Sequence, residues 1–466
     1  MQQQSEEQKA ITELIMQAKR DATAETDTEA EPGLTSTVDW PVTCTVGPGL
    51  EGAIACETRV GYVNGKKGWL IYRGYDIFDL CAHSSYEEVS YLLLHGKLPS
   101  RSEFEEYSKR LRQYRDIGQT LRLFMSFPIE QLHPMAALRL GTNLMRQKQT
   151  YRDLDVDPDH APIAADEDSI AMETPPLGEK EAIYEFTSGA HTRPEKASDE
   201  LTGGEDIDSC YHLISGVATL AAAIVRLRRG KFPLEPRQDL SHAANLLYMI
   251  NGEVPSVLEE RIMDINLILH ADHGMNASTF ATMVVASTLS DIYFSIGAGI
   301  SALNGPLHGG ANEQVIKALG EIGSPDNVDR WFETALAEKR KIPGFGHRVY
   351  KAYDPRARIL APLAERMAAS RPELRELYQI AKKLERRVVA EYGEQKKIFP
   401  NVDFYSGLLY RAMSIPQNFF TPLFAVSRVA GWTARVIEYL EHNRIFRPRA
   451  IYTGELTAQY RSIDKR

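Results

Sequence analysis

Cysteine is scarce: 4 in 466 residues. Cys44, Cys56, Cys81 and Cys210 stand far apart, with no CxxC pair and no histidine at metal-ligand spacing. That pattern excludes a disulfide scaffold and gives no metal site; it reads as free thiols in a reducing cytoplasm. Long apolar runs are also lacking, so no membrane partner is expected. The opening Met1-Gln2-Gln3-Gln4-Ser5-Glu6-Glu7 has neither a basic stretch nor an apolar one, which argues against secretion, and it is too acidic for a transit peptide. No basic stripe or nucleic-acid module is present, so nucleic acid is not an expected partner.

What charge there is lies unevenly. The net value of -9 hides residues 153–208, which hold 17 acidic and 3 basic side chains; the remainder carries a small positive excess suited to anionic small molecules. Residues 150–208 lack apolar periodicity and read as an acidic, disordered insertion, with a binding surface for a basic partner as the alternative. Residues 1–45 read as a polar arm. Ile11, Leu14, Ile15 and Ala18 share one helical side within residues 5–19, but residues 21–32 form an Ala/Glu/Thr-rich linker. A loosely held tail is expected in preference to a docking helix.

Residues 57–72 predict a short β-hairpin turned at Asn64-Gly65-Lys66-Lys67, and Asp76 begins a helix. Ser85-Tyr86-Glu87-Glu88 and Ser102-Glu103-Phe104-Glu105 mark helix starts, and His133-Pro134 opens another with a structural histidine. From Asp208 onward helical periodicity barely stops. Helices are expected over 210–229, 241–251, 256–272, 276–301, 311–319, 327–340, 355–369, 372–392, 404–413 and 422–442. The fold class is mainly α. Residues 286–304, dense in Ser, Ala and Gly, let helices approach closely, at a subunit interface or within the chain.

Four segments concentrate polar chemistry. His270-Ala271-Asp272-His273 puts two histidines near one face of a helix end, a spacing too weak to imply a metal. Asn304-Gly305-Pro306-Leu307-His308-Gly309-Gly310 sets a histidine inside a glycine collar at a helix boundary, placed to give a bound molecule a proton or a hydrogen bond; a buried structural histidine is the competing reading. Pro343-Gly344-Phe345-Gly346-His347-Arg348-Val349-Tyr350-Lys351 has no preceding strand and is no dinucleotide fingerprint. It reads as a tight loop that lays backbone amides and carbonyls against a ligand, with Arg348 and Lys351 free for phosphates. Asn401-Val402-Asp403-Phe404 sets a carboxylate beside apolar neighbours at a helix start, where a helix cap is the simpler reading. Arg356, Arg428 and Arg447 each sit in sequence expected to be partly buried, where an arginine needs a carboxylate or phosphate partner.

These segments, in this order and spacing, resemble the citrate synthase family, including its 2-methylcitrate synthases. The resemblance runs from about Gly49 to the C-terminus and includes Arg73-Gly74-Tyr75-Asp76 and Pro448-Arg449-Ala450-Ile451-Tyr452-Thr453-Gly454; it does not cover the arm or the acidic insertion. It implies a large helical domain (46–312 and 415–466) and a smaller helical domain (313–414) closing over a cleft. By resemblance Asp403 is the base at the acyl methyl, His308 binds the thioester oxygen and His347 polarises the ketone of oxaloacetate. His273, Arg356, Arg428 and Arg447 hold the substrate carboxylates. Pro343, Gly344, Phe345 and Gly346 form part of the CoA site, flanked by Arg348 and Lys351. The implied partners are oxaloacetate and acyl-CoA, with acetyl-CoA a substrate and no metal or separate cofactor, in a homodimer or a hexamer of dimers. Ser406-Gly407 leans towards acetyl-CoA over propionyl-CoA, although one methylene is worth only about 1–3 kcal/mol. A non-catalytic assembly role is the competing class.

Overall fold

The structure, a computed structural model, describes residues 5–26, 37–146, 205–456 and 459–465. The hairpin forms where predicted: β1 (Gly61–Asn64) pairs antiparallel with β2 (Trp69–Tyr72), and a short β3 (Tyr75–Asp76) returns along β2. Asn64 Oδ1 accepts the Lys66 and Lys67 N–H groups, each at 3.0 Å, which closes the turn.

Helices follow, most started by a side-chain cap. α1 spans Glu6–Thr26 ahead of the sheet. After it, α2 (Ile77–His83) is capped by Asp76 and α3 (Tyr86–His95) by Ser85. α4 (Arg101–Gln113) starts on Ser100 and not at Ser102, because Ser100 and Glu103 form a reciprocal capping box. α5 (Gly118–Phe124) and α6 (Pro134–Leu144) come next, the latter with His133 Nδ1 accepting the Met135 N–H as a structural cap. α7 (Glu205–Arg228) begins inside the window expected to be insertion; residues 147–204 lie outside the described residues. α8 (His242–Asn251) and α9 (Val257–His270) are as predicted. The single helix expected over 276–301 is two, α10 (Ala277–Ser287) and α11 (Ile292–Leu303). Leu289 adopts φ 65 between them and Asp291 caps a fresh start. Then come α12 (Ala311–Ile322), α13 (Val328–Ala337), α14 (Pro355–Ser370), α15 (Pro372–Lys396), α16 (Val402–Ala412) and α17 (Phe420–Leu440).

α17 is the axis of the larger body. It packs against α3, α7, α9, α10 and α11, and every residue from Phe420 to Val436 except Phe424 is buried. Around such an axis a helix must be apolar on all sides. α7 therefore departs from the expectation that no apolar run is long: Ile207–Arg228 is long and apolar enough to cross a membrane by length and composition, yet 89% of its apolar window is buried inside the protein. The small residues of α10 and α11 serve packing within the chain, since a Cβ on Gly299 would lie 2.3 Å from Thr282 Oγ1 and 3.1 Å from the Trp432 ring.

α12 to α16 pack on one another as a second group. The polar arm is not a loose tail. α1 buries Ile11 and Ile15 completely and spans both groups. Lys19 pairs with Asp79 of α2 at 2.7 Å, while Glu7 pairs with Arg366 of α14 at 2.6 Å and Glu25 with Arg358. The linker reading failed for residues 21–26 because these ion pairs and Ala18 hold the helix down where composition alone favours solvent.

Candidate active site

The turn between α9 and α10 carries the first histidines. Asp272, fully buried, binds Arg435 of α17 through Nε at 2.7 Å and Nη2 at 2.8 Å. Burial works to raise the Asp272 carboxyl, but Arg435 outweighs it and holds it below the ordinary range. This pair pins the turn to α17; no sequence pattern joins residues so far apart. His270 is structural, its Nδ1 2.7 Å from the Asn266 carbonyl oxygen and its ring against Phe424. No metal-ligand cluster occurs among the described residues. His273 faces the other way, with Nε2 3.2 Å from the Tyr350 hydroxyl and its ring 5.2 Å from that of His347.

The glycine collar is a steric requirement. A Cβ on Gly309 would lie 2.2 Å from the Leu303 carbonyl oxygen, and Gly310 sits at φ 80 where α12 begins. His308 is half-buried, and burial together with the Arg428 charge lowers it to about 4, so it is neutral. The backbone N–H of Ser278, on the first turn of α10, points at His308 Nε2 from 3.2 Å, with the Ser278 hydroxyl 2.8 Å away. A backbone N–H only donates, so Nε2 accepts and the ring proton sits on Nδ1. Ser278 was missed in the sequence, where it is one more residue in a capped helix start.

The loop Pro343-Gly344-Phe345-Gly346 is tied to the strand-like segment before α16 through three of its backbone groups. Gly346 N–H donates to the Phe399 carbonyl and Asn401 N–H to the Gly344 carbonyl, both at 2.9 Å, and Asn401 Nδ2 donates to the Gly346 carbonyl at 3.0 Å. Phe345 is buried against Phe404, with ring centroids 4.6 Å apart. Gly344 and Gly346, at φ 81 and 80, permit that close approach. The loop thus fixes His347 relative to Asp403. Arg348 and Lys351 are exposed and make no side-chain bond among the described residues, as phosphate ligands would need.

His347 Nδ1 accepts the N–H groups of Val349 at 3.0 Å and Tyr350 at 3.2 Å, so its proton lies on Nε2. Burial and Arg356 lower it to about 4. The two histidines are therefore both neutral donors, with protons on opposite nitrogens. Asp403 is not the helix cap; Asn401 is, accepting the Asp403 N–H at 3.0 Å. The Asp403 carboxylate accepts no hydrogen bond among the described residues. Burial raises it to about 6 against the opposing pull of Arg356, with Asp354 adding to the rise.

Two of the three arginines are buried here. Arg356 already has a protein partner, Asp354 two residues earlier, bound through Nε at 3.0 Å and Nη2 at 2.8 Å. Burial alone would lower the guanidinium; Asp354 holds it above its usual range. Arg428 has no such partner. Its Nε donates to the His270 carbonyl at 2.6 Å, its buried Nη2 bonds nothing, and burial lowers it to about 10. A buried cation without a counterion is costly unless an anion joins it. Arg447 departs from expectation: it is exposed, with no bond or ion pair among the described residues, because the chain leaves the body after α17. His273, His308, His347, Arg356, Arg428 and Asp403 gather in one cluster, and Arg447 stands outside it.

A neutral donor pair, a basic carboxylate and buried guanidinium groups suit proton abstraction next to a carbonyl on an anionic substrate. The family model described as "Citrate synthase, C-terminal domain" matches residues 49–449. A citrate synthase of Synechocystis sp. is 41% identical over 418 residues, covering 90% of this chain and 93% of that protein. A crystal structure of citrate synthase from Pyrobaculum aerophilum aligns with TM-score 0.75 and 39% identity, over 92% of this chain and 99% of that one. A citrate synthase from the thermophilic archaeon Thermoplasma acidophilum, solved as a ternary complex with carboxymethyl coenzyme A and oxaloacetate, aligns with TM-score 0.74 and 32% identity over 91% of this chain and 100% of that one. Matches of this extent, over a mainly helical fold holding that cluster, make the chain a member of the citrate synthase family.

Proposed function

We propose that this enzyme condenses acetyl-CoA with oxaloacetate and hydrolyses the resulting thioester to citrate and CoA. The observation that carries the reading is the unbonded Asp403 carboxylate, raised to about 6, in one cluster with two neutral histidines. Asp403 takes a proton from the acetyl methyl. As charge moves to the thioester oxygen, Nδ1–H of His308 donates to it; one such donor in a dry site is worth about 3–4 kcal/mol of barrier. The enol carbon then bonds to the ketone carbon of oxaloacetate, whose oxygen takes its hydrogen bond, and finally a proton, from Nε2–H of His347. Arg428, Arg356 and His273 hold the carboxylates, and water cleaves the thioester. Arg348 and Lys351 meet the CoA phosphates. In this scheme acetyl-CoA is a substrate and the side chains supply the acid, base and charge.

The reading also divides the chain: α12–α16 closes over the body built on α17, with the cluster between them. It makes the enzyme a homodimer or a hexamer of dimers in a reducing cytoplasm, in keeping with four cysteines that form no disulfide. Supporting the dimer, the segment after α17 exposes Ile445, Ile451, Tyr452, Leu456, Tyr460 and Ile463, an apolar series suited to lie on a second copy. That placement would carry Arg447 into the partner's cleft.

The deciding experiment measures CoA release from oxaloacetate with acetyl-CoA and with propionyl-CoA. A higher kcat/KM for acetyl-CoA supports the proposal. A higher value for propionyl-CoA moves the activity to 2-methylcitrate synthesis. No release from folded protein with either sinks it.

A further inference from the structure

Away from the cluster, a cavity of about 510 Å³ lies between the C-terminal end of α7 and residues 414–419, which join α16 to α17. Arg228, Arg229 and Arg411 line it, and no Asp or Glu does. The first two are anchored by main-chain carbonyls. Arg228 Nη1 donates to the Glu130 carbonyl at 2.9 Å and to that of Leu132, and Arg229 Nη2 donates to the Ser414 carbonyl at 2.9 Å. Carbonyl bonds aim a guanidinium without neutralising it, and each fork keeps free N–H groups. The Arg411 guanidinium makes no hydrogen bond or ion pair among the described residues. Arg229 is lowered first by burial and then by the nearby charge of Arg226.

We propose that this cavity binds a multivalent phosphoryl anion, such as inorganic polyphosphate or the triphosphate of a nucleotide. Three planar guanidinium groups around one concavity match the several oxygens of a phosphoryl chain, and a volume of this size falls in the small-molecule range. The apolar wall of Ile316 and Pro416 beside them leaves room for a base. The site is distinct from the loop that presents Arg348 and Lys351. It also touches the joint between the helix bearing Asp403 and the helix bearing Arg428. Ser414 sits there at φ 60 with its carbonyl tied to Arg229, and Asn251 Nδ2 donates to the neighbouring Met413 carbonyl at 2.9 Å. An anion drawing Arg229 and Arg411 together would stiffen that joint.

The test is calorimetric titration of tripolyphosphate and of ATP into the full chain, with oxaloacetate and CoA in excess to fill the cleft. Wild type, Arg411→Glu and Lys351→Ala are compared. Arg411 is exposed and unbonded, so its replacement does not threaten folding. One site per chain is expected, weakened at least tenfold by Arg411→Glu and unchanged by Lys351→Ala. Equal affinities for the two probes assign binding to the phosphates alone, and tighter ATP binding adds the base. Absence of binding, indifference to Arg411→Glu, or loss in Lys351→Ala alone overturns the proposal. The readout is binding and not turnover, so it stands apart from the outcome of the CoA-release assay.

Discussion

Asp403 shows how a single residue sets activity against stability. Its carboxyl is about 6 in the fold and about 3.9 in an unfolded chain. A group raised by folding favours the folded state below its unfolded pKa, and that stability is lost as pH rises through the folded value. At pH 7 the carboxylate therefore costs up to about 3 kcal/mol. Asp403→Asn is expected to abolish CoA release while raising the urea midpoint, and an unchanged or lower midpoint would refute the burial argument. In the wild type, kcat/KM should fall with unit slope below pH about 6, because only the ionised carboxyl removes the proton. His308 and His347, at about 4, do not titrate in that window. Ser278 acts through His308 by fixing its tautomer. The donor is the Ser278 backbone N–H, which Ser278→Ala keeps, and the hydroxyl gives its own proton to Asn276 Oδ1 at 2.7 Å; kcat and KM should therefore stay within about twofold of wild type, and a roughly tenfold fall in kcat would assign the tautomer to the hydroxyl instead.

At the scale of elements, helix contacts outweigh local propensity. α1 begins in a polar sequence, yet Ile11 and Ile15 are fully buried in its contact with α2 and α14. Ile15→Ala should cost about 2–5 kcal/mol, read as a lower urea midpoint at constant slope. A change within error would return α1 to the status of a loosely attached arm. The α10–α11 crossing makes the opposite demand. Gly299→Ala would push a methyl against Thr282 and Trp432, and about 1–3 kcal/mol of destabilisation is expected from overpacking.

For the whole molecule, Arg447 is the residue that a single chain leaves unexplained. If each cleft takes Arg447 from the other copy, chains carrying Arg447→Ala and chains carrying Asp403→Asn are each inactive alone. Mixed dimers then regain one complete site, so co-refolding the two should restore a measurable fraction of wild-type CoA release. No recovery, from mixtures shown to be dimeric by light scattering, would place Arg447 outside the chemistry.

Much of this protein is determined by sequence alone, wherever the causes are local. The hairpin follows from Asn64-Gly65 between alternating strands, and most helix starts follow from a Ser, Asp or Asn whose side chain reaches a backbone N–H a few residues on. The grouping of His273, His308, His347, Arg356, Arg428 and Asp403 was legible through resemblance, with glycines marking where backbone must come close. Tertiary structure decided what depends on distant partners. Asn401, and not Asp403, caps α16, which leaves the base unbonded. Three backbone groups of the loop 343–346 bond residues 399–401. Arg356 takes Asp354 while Arg428 takes only a carbonyl, and the backbone N–H of Ser278 sets the proton of a histidine thirty residues away. Such choices turn on desolvation and on which donor meets which acceptor across the fold, and residue order fixes neither until the helices have packed.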